Sequence, residues 1–468
     1  MVTFSKPVRR AVDLIPRITA IPLLIVLLAA SGCAGQQAAA PSRGEGTYSA
    51  NRARLPLILI PGMLGSRLVE RETGIEAWPG STRKLLTSGY LELALQIDPG
   101  TLEPLDDGLV PGGLFDGVAV QDYYRRIVNA LQLTGGYRQA EPGDPATPGE
   151  ARLYTFTYDW RQDMVRSAAK LDELIEQIRR DYRDPELSVD VVAHSMGGMI
   201  VRYYQRYGTD DVLEGNAFPV TGAGARKLRR MALIATPNLG SVSAIHYFVN
   251  GYRVGLSRLV TEGVATMPPM YQFFPDPQVT WITNARGEAL YLDVFDVSTW
   301  RNFGWSVFNR KVQQRIASQP GMWPSQDVFE RYFQKRLKRA QRFVWSLLVP
   351  VGDVRLVEPL LFGGDCVPTP ARLVVEESEG DFVARLTPEQ IQNPVPGINY
   401  DKLMYEPGDG SVTALSLLGR LGTGASIPPQ ANGNAEVKQA YFYCEDHTAL
   451  TGNARFLDGL LNYLLGPD

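Results

Sequence analysis

The chain alternates between short, continuous apolar runs and longer stretches in which apolar residues recur every three or four positions. The first pattern is typical of strands buried on both faces of a parallel sheet, and the second of amphipathic helices. Predicted strands lie at 55–60, 151–160, 187–195, 229–237 and 437–445, and predicted helices at 120–132, 164–184 and 453–465. Strands that alternate with helices predict an α/β fold, with a mainly parallel sheet flanked by helices.

Two stretches interrupt this alternation. Residues 67–118 are rich in Gly, Pro and polar residues, and residues 239–350 combine aromatic residues, prolines and one basic helix. We expect both to be insertions in a domain that spans 55–466, with the second forming a cap or lid. The helical pattern at 325–345 carries basic residues on one face, which would either press against anionic lipid headgroups or simply be solvated.

The N-terminal segment has the composition of a targeting signal. Basic residues precede an apolar stretch at 18–32, which is shorter than the roughly 20 residues that span a bilayer as a helix. It ends in "LAASGC", which resembles the lipobox of bacterial lipoproteins. We therefore expect 1–32 to be a lipoprotein signal peptide and Cys33 to be lipidated, although an ordinary secretory signal or an uncleaved anchor would fit the same residues.

Residues 33–54 are small, polar and rich in Gly and Ala, and we expect them to be a flexible tether between the lipid and the folded domain. The protein would then lie in a bacterial cell envelope, held on a membrane by its N-terminal lipid. Alanine at position 34 favours the outer membrane if the host is Gram-negative. The net charge of −3 and the pI near 5.9 argue against nucleic acid as a partner, and the oligomeric state stays open.

The stretch "VDVVAHSMGGMIVRYY" (189–204) carries the clearest chemical signal. A strand that turns sharply into a helix at a serine, with small residues two positions before and after it, is the nucleophile elbow of α/β-hydrolases. Ala193 and Gly197 meet that steric demand and make Ser195 the candidate nucleophile. The elbow would also aim the backbone N–H of Met196 at the carbonyl oxygen under attack.

The general base follows by elimination, because the chain has three histidines. His194 stands beside the nucleophile and should point away from it into the packing, and His246 falls inside the expected cap. His447 follows the last predicted strand, where hydrolases place the base. For the acid, Asp409 lies between two glycines on a predicted sharp turn. The alternates for the acid are Asp353, Asp365 and Glu406.

A second oxyanion donor normally comes from the loop after an early strand. "LILIPGMLGS" (57–66) fits this position, so the N–H of Met63, or of Leu64 as the alternate, is the candidate. Cys366 and Cys444 are a candidate disulfide, which an exported compartment permits; two separate thiols are the other interpretation.

The same residues resemble the lecithin:cholesterol acyltransferase family, which includes lysosomal phospholipase A2 and phospholipid:diacylglycerol acyltransferases. The matching pieces, in family order, are "LILIPGMLGSRL", "YDWR" (158–161), "AHSMGG", "ATPNLGS", "VPTPARLVV" (367–375), "YEPGDGSV" and "HTALTGNARFLDGLLNYLLG". The resemblance implies an α/β-hydrolase fold with a cap and lid, and a Ser195, Asp409 and His447 triad. It also implies Met63 and Met196 as the oxyanion pair, and no metal or organic cofactor.

The resemblance implies a two-step reaction. Ser195 would take an acyl group from a membrane phospholipid or another lipid ester, and the acyl-enzyme would pass it to water or to an alcohol. The lid sequence is not recognisably that of the animal enzymes, so substrate and acceptor stay open. The alternatives are a general carboxylesterase or triacylglycerol lipase, and a catalytically silent envelope lipoprotein that binds lipid.

Overall fold

The structure is a computed structural model that describes residues 54–467, apart from 116, 119–120, 255–256 and 420–438. The expected signal peptide at 1–32, Cys33 and all but the last residue of the expected tether at 33–54 lie outside the described residues. Within the described part of the chain, every helix is too short or too polar to cross a bilayer.

Seven parallel strands form the central sheet, and we number them in chain order. They are β1 (Leu57–Ile60), β2 (Arg138–Gln139), β3 (Arg152–Thr155), β4 (Val189–His194), β5 (Leu228–Ile234), β6 (Pro359–Gly364) and β7 (Ala440–Tyr443). Their order across the sheet is β7-β6-β5-β4-β1-β3-β2. β1 and β4 therefore lie side by side at the centre, and β7 lies at one edge.

Burial explains why the central strands carry no polar alternation. All four residues of β1 and all six of β4 are buried, because helices cover both faces of the sheet. Three long helices pack against it: α1 (Met164–Tyr182), α2 (Met196–Tyr207) and the C-terminal helix Ala454–Leu465. The side chain of Asp163 caps α1 by accepting the N–H of Val165.

Two elements have bounds in the structure that differ from those predicted by the sequence pattern. The strand predicted at 151–160 stops at Thr155, because the N–H of Tyr158 turns away to the hydroxyl of Ser66 instead of continuing the ladder. The helix predicted at 120–132 begins only at Arg125, after the short strand Gln121–Asp122. It continues past Asn129 as a π-helical turn, Ala130–Thr134.

The stretch between β1 and β2 folds outside the central sheet. Ser66–Glu70 pairs antiparallel with both Glu76–Trp78 and Leu109–Leu114 in a small sheet of its own. The same stretch contains the helices Thr82–Thr87 and Leu91–Leu93, the strand pair Gly117–Val118 and Gln121–Asp122, and the helix Arg125–Asn129.

The chain between β5 and β6 forms a mainly helical unit, which we call the cap. Its elements are the helices Ser243–Asn250, Thr261–Val264, Pro268–Gln272, Val297–Asn302, Ser306–Phe308, Arg310–Ser318 and Gln326–Ser346, and the strands Tyr252–Val254, Ser257–Leu259 and Ile282–Asn284. Its interior is aromatic. The ring of Phe248 contacts those of Tyr271, Phe274, Trp300 and Phe333 at centroid distances of 4.6–5.8 Å.

Part of the basic face of Gln326–Ser346 forms ion pairs within the protein and is not available to lipid headgroups or solvent. Arg336 is 2% exposed and pairs with Glu103, and Arg339 pairs with Asp163 and Asp211. The expectation of a lipid-facing or solvated face is therefore wrong at these two arginines. Their ion pairs link the cap to the rest of the domain.

Between β6 and β7 the chain makes a second group of short elements. These are the strands Val367–Pro370, Leu373–Ser378, Asp381–Arg385 and Tyr405–Gly408, and the helices Pro388–Gln390, Tyr400–Met404 and Ala414–Leu418. Val367–Pro370 pairs antiparallel with Tyr405–Gly408, and this pair presents the turn that carries Asp409.

Candidate active site

Ser195 lies at the junction of β4 and α2 with φ +53° and ψ −118°. A non-glycine residue rarely adopts a positive φ, so this backbone is strained, as an elbow requires. Gly197 lies two positions after Ser195, where the chain at Ile60 and Pro61 approaches so closely that a side chain would not fit. A Cβ on Gly197 would lie 2.7 Å from Cγ2 of Ile60 and 2.8 Å from the carbonyl oxygens of Ile60 and Pro61.

The structure brings Ser195, His447 and Asp409 together in one hydrogen-bonded line. Oγ of Ser195 lies 2.9 Å from Nε2 of His447, and Nδ1 of the same ring lies 2.8 Å from Oδ2 of Asp409. Since the carboxylate can only accept, the ring proton is on Nδ1, which leaves Nε2 to accept the serine proton. The arrangement can deprotonate the hydroxyl of Ser195 and hold the resulting imidazolium.

The Asp409 turn is built to fix its carboxylate. Oδ1 accepts the N–H groups of Ser411 and Val412, at 2.9 and 2.7 Å, which leaves Oδ2 for His447. The hydroxyl of Thr369, in the "VPTP" motif, accepts the N–H of Gly410 at 2.8 Å. The turn that carries Asp409 is therefore stabilised by a motif that lies far from it in sequence.

The three alternate acids lie elsewhere. Glu406 forms a salt bridge with Arg372, and Asp353 and Asp365 are exposed. None of the three has the contact with His447 that Asp409 makes.

The charge of the acid controls the protonation of the base. Burial alone would lower the pKa of His447, but the carboxylate of Asp409 outweighs it and holds that pKa above its usual value of 6.5. Burial likewise opposes ionisation of Asp409, but the ring of His447 and the two backbone N–H groups keep its pKa below its usual value of 3.8. The acid is thus ionised whenever the base is neutral.

The loop after β1 forms a tight turn beside Ser195. The N–H of Gly65 donates to the carbonyl oxygen of Gly62 at 3.0 Å, so the N–H groups of Met63 and Leu64 lie at the centre of the turn, outside its hydrogen bond. Leu64 has φ +64°. Met196, the third candidate donor, is the first residue of α2, where helix geometry leaves the N–H without an acceptor inside the helix.

The "YDWR" motif donates hydrogen bonds to the loop that contains this turn. The hydroxyl of Tyr158 donates to the carbonyl oxygen of Pro61 at 2.7 Å, and Nε1 of Trp160 donates to that of Ser66 at 3.1 Å. The guanidinium of Arg161 is fully buried between the carboxylates of Asp107 and Asp159. The motif therefore fixes both ends of the candidate oxyanion loop.

Comparison with known families bears on the resemblance seen in the sequence. The family model described as "Lecithin:cholesterol acyltransferase" matches residues 148–344, a range that contains Ser195 and ends before Asp409 and His447. The chain is similar to this family over that range, which is less than half of its length. The resemblance seen in the sequence motifs is thereby confirmed over this range, and it supports an enzyme of the lipid acyl-ester hydrolase or acyltransferase class. None of the curated proteins is significantly similar to it in sequence.

Solved structures support the fold. The crystal structure of the Tle4–Tli4 complex contains a chain with a TM-score of 0.52 and 16% identity, over 89% of this chain and 99% of that one. EstA from Clostridium botulinum matches with a TM-score of 0.34 and 14% identity, over 88% of this chain and 86% of EstA. At this identity the first match shows the fold alone. Together with the family match and the parallel sheet, it confirms the predicted α/β-hydrolase fold.

His194 forms hydrogen bonds in addition to its packing contacts. Its Nδ1 lies 2.8 Å from the hydroxyl of Tyr124, and its Nε2 lies 3.0 Å from the backbone oxygen of His447. The ring does point away from Ser195, but the expectation of a packing role alone is incomplete. Tyr124 was not singled out in the sequence, where a tyrosine in an amphipathic stretch carries no chemical signal. His246 lies in the first helix of the cap, and its Nε2 is buried without a hydrogen-bond partner among the described residues.

Cys366 and Cys444 form a disulfide. Cys366 follows β6, and Cys444 lies immediately after β7, three residues before His447. The bond therefore ties the segment that leads into His447 to the segment that pairs with the Asp409 strand.

Proposed function

We propose that the chain is a serine-dependent lipid acyl-ester hydrolase or O-acyltransferase that acts on glycerophospholipids through an acyl-Ser195 intermediate. The observation that carries the proposal is the unbroken line from Ser195 through His447 to Asp409, with bonds of 2.9 and 2.8 Å. The similarity of residues 148–344 to the lecithin:cholesterol acyltransferase family supports lipid esters as substrates.

In the first step, Oγ of Ser195 attacks the ester carbonyl carbon while Nε2 of His447 takes the hydroxyl proton. The ionised Asp409 stabilises the imidazolium. The N–H groups of Met63 and Met196, with Leu64 as the alternate to Met63, stabilise the oxyanion. His447 then gives its proton to the leaving lysophospholipid oxygen, which leaves the acyl group on Ser195.

In the second step, water or an alcohol attacks the acyl-enzyme. His447 takes the proton of the attacking hydroxyl and returns it to Oγ of Ser195 as the acyl group departs. Water yields a fatty acid, and an alcohol yields a new ester.

We also propose that Cys33 carries lipid and holds the enzyme on a bacterial envelope membrane. The lipobox-like "LAASGC" supports this, and the Cys366–Cys444 disulfide is the kind of bond that persists in an exported compartment. Mass spectrometry of the mature N-terminus tests it. An unmodified Cys33, or cleavage at another site, would contradict it.

The decisive experiment incubates the full chain with phosphatidylcholine vesicles that contain a long-chain alcohol, and follows the acyl chain by mass spectrometry. Free fatty acid with lysophospholipid, or a new alcohol ester, supports the proposal and distinguishes its two forms. Turnover of p-nitrophenyl esters with no attack on phospholipid would instead indicate a general carboxylesterase. The Ser195→Ala variant is the matched control and should release nothing.

A further inference from the structure

Two parts of the site that are far apart in sequence meet through His194 and Tyr124. The hydroxyl of Tyr124 lies 2.8 Å from the N–H of Gly62, the first residue of the candidate oxyanion turn, and 2.8 Å from Nδ1 of His194. Nε2 of His194 lies 3.0 Å from the backbone oxygen of His447. His194 and Tyr124 are both almost completely buried, at 5% and 3% exposure.

Donor and acceptor rules assign every proton in this chain of bonds. The backbone oxygen of His447 can only accept, and the N–H of Gly62 can only donate. Nδ1 of a neutral His194 ring is therefore the acceptor of the Tyr124 hydroxyl proton, and that hydroxyl accepts the N–H of Gly62. The ring proton of His194 is then on Nε2, which donates to the carbonyl oxygen of His447. All three bonds point the same way, from the oxyanion turn to the base.

The assignment requires a neutral His194 ring. Burial, and then the neighbouring His447, lower the pKa of His194 to about 3, so the ring is neutral at neutral pH. A doubly protonated ring would donate from both nitrogens and leave the proton of the Tyr124 hydroxyl without its acceptor.

We infer that His194 and Tyr124 are positioning residues, which set the orientation of the Gly62–Gly65 turn and the placement of His447 through one continuous hydrogen-bonded chain. The inference rests on the proposed function, in which that turn and that histidine act on the same carbonyl group. The His447 backbone is held on both sides, since its N–H donates to the carbonyl oxygen of Asp409 at 2.9 Å and its carbonyl oxygen accepts from His194.

Close packing holds the turn against the nucleophile elbow. A Cβ on Gly62 would lie 2.9 Å from Cβ of Ser195 and 3.1 Å from Nδ1 of His194. The turn thus rests directly on the elbow, and a small rotation of it would move the Met63 N–H relative to Oγ of Ser195. Misplacement by about 1 Å in an active site can cost about 100-fold in rate.

The test compares Tyr124→Phe and His194→Gln with Tyr207→Phe as the matched control. Tyr207 is also buried, and its hydroxyl donates to the carbonyl oxygen of Ser346 at 2.6 Å, at the far end of α2 from Ser195. All three variants lose a buried hydrogen bond, but only the first two lose one in the chain. The assay measures kcat and KM of the full chain on a p-nitrophenyl ester, normalised to active sites titrated with a fluorophosphonate.

We expect kcat to fall about 10- to 100-fold in Tyr124→Phe and in His194→Gln, with KM within about twofold of wild type. In Tyr207→Phe, kcat should not change. Because the two residues act in one chain, the double variant should lose little more than the worse single variant. Single variants with wild-type kcat, or a double variant whose loss is the product of the two, would overturn the inference.

The Ser195→Ala variant separates this inference from the function it rests on. If Ser195→Ala keeps its activity, the proposed function fails. If Ser195→Ala is inactive and Tyr124→Phe is as fast as wild type, only the positioning role fails.

Discussion

His447 and Asp409 are joined twice. Their side chains meet through Nδ1 and Oδ2 at 2.8 Å, and the backbone N–H of His447 donates to the backbone carbonyl oxygen of Asp409 at 2.9 Å. The second contact does not depend on the carboxylate. Replacing the acid by its amide therefore changes the charge and the tautomer of the pair while the two loops stay in place.

We expect Asp409→Asn to lower kcat by about four orders of magnitude, because the ring of His447 would lose the acceptor that fixes its proton on Nδ1. The unfolding midpoint in urea should move little by comparison. A variant with kcat within tenfold of wild type would exclude Asp409 as the acid, and the exposed Asp365 supplies the matched Asp→Asn control.

The pH dependence should follow the same pair. A general base works only when neutral, and the carboxylate of Asp409 raises the pKa of His447 above 6.5, so kcat/KM should fall as the pH drops through a midpoint above 6.5. In Asp409→Asn, burial remains and the carboxylate is gone, so the residual activity should have a lower midpoint. A midpoint that is unchanged by the substitution would contradict this account.

Gly197→Ala tests the elbow. The added methyl group would lie within 2.8 Å of the backbone of Ile60 and Pro61, so the elbow and the oxyanion loop would have to separate. We expect the free energy of unfolding to fall by about 1–3 kcal/mol, and kcat to fall by about 10- to 100-fold.

Gly263→Ala is the control for that substitution. It lies in the helix Thr261–Val264, and the nearest atom to an added Cβ is 3.6 Å away. Its unfolding free energy should stay within about 1 kcal/mol of wild type. Equal effects of the two substitutions on kcat would contradict the steric requirement for glycine at position 197.

Arg161→Met tests the buried ion pairs beneath the oxyanion loop. Removing the guanidinium leaves Asp107 and Asp159 without their partner, which should cost about 3–5 kcal/mol of unfolding free energy in urea titrations. Arg71→Met removes an exposed pair with Asp106 and should cost less than about 1 kcal/mol. Similar losses in the two variants would contradict the role assigned to the buried motif.

Cys444→Ser tests the disulfide. The bond closes a span of 78 residues, and losing it should lower the free energy of unfolding by about 2–4 kcal/mol. It should also lower kcat, because Cys444 lies three residues before His447. Cys366→Ser should behave identically, and the double variant should be insensitive to reductant. Different activities in the two single variants would point to a separate role for one thiol.

Much of the candidate site could be predicted from local patterns in the sequence. The elbow around Ser195 is recognisable because its steric demands fall within five consecutive residues, and His447 is identifiable because histidines are scarce. Asp409 was less distinctive, since a turn aspartate between glycines also occurs for conformational reasons. Its Oδ1 accepts the N–H groups of Ser411 and Val412 in the turn, while its Oδ2 lies 2.8 Å from Nδ1 of His447, the contact that the acid role requires.

Long-range contacts explain what the sequence did not show. Tyr124 reaches His194 across 70 residues, and no periodicity links the two. The strand at 151–160 looked long because aromatic residues continue through Tyr158 and Trp160, yet the side chains of these two residues donate hydrogen bonds to the oxyanion loop. The arginines of the basic helix looked free because their acidic partners come from distant segments such as Glu103 and Asp163.

The position of β7 has a consequence for how this enzyme loses activity. It is the edge strand of the sheet, paired with β6 among the described residues, and it leads directly to His447. Edge segments exchange their amide hydrogens through local openings that need less free energy than global unfolding. Such an opening would carry His447 away from Ser195 while the central strands stay paired. The disulfide at Cys444 opposes it, so we expect a reducing compartment to lower the activity of the chain before the central sheet unfolds.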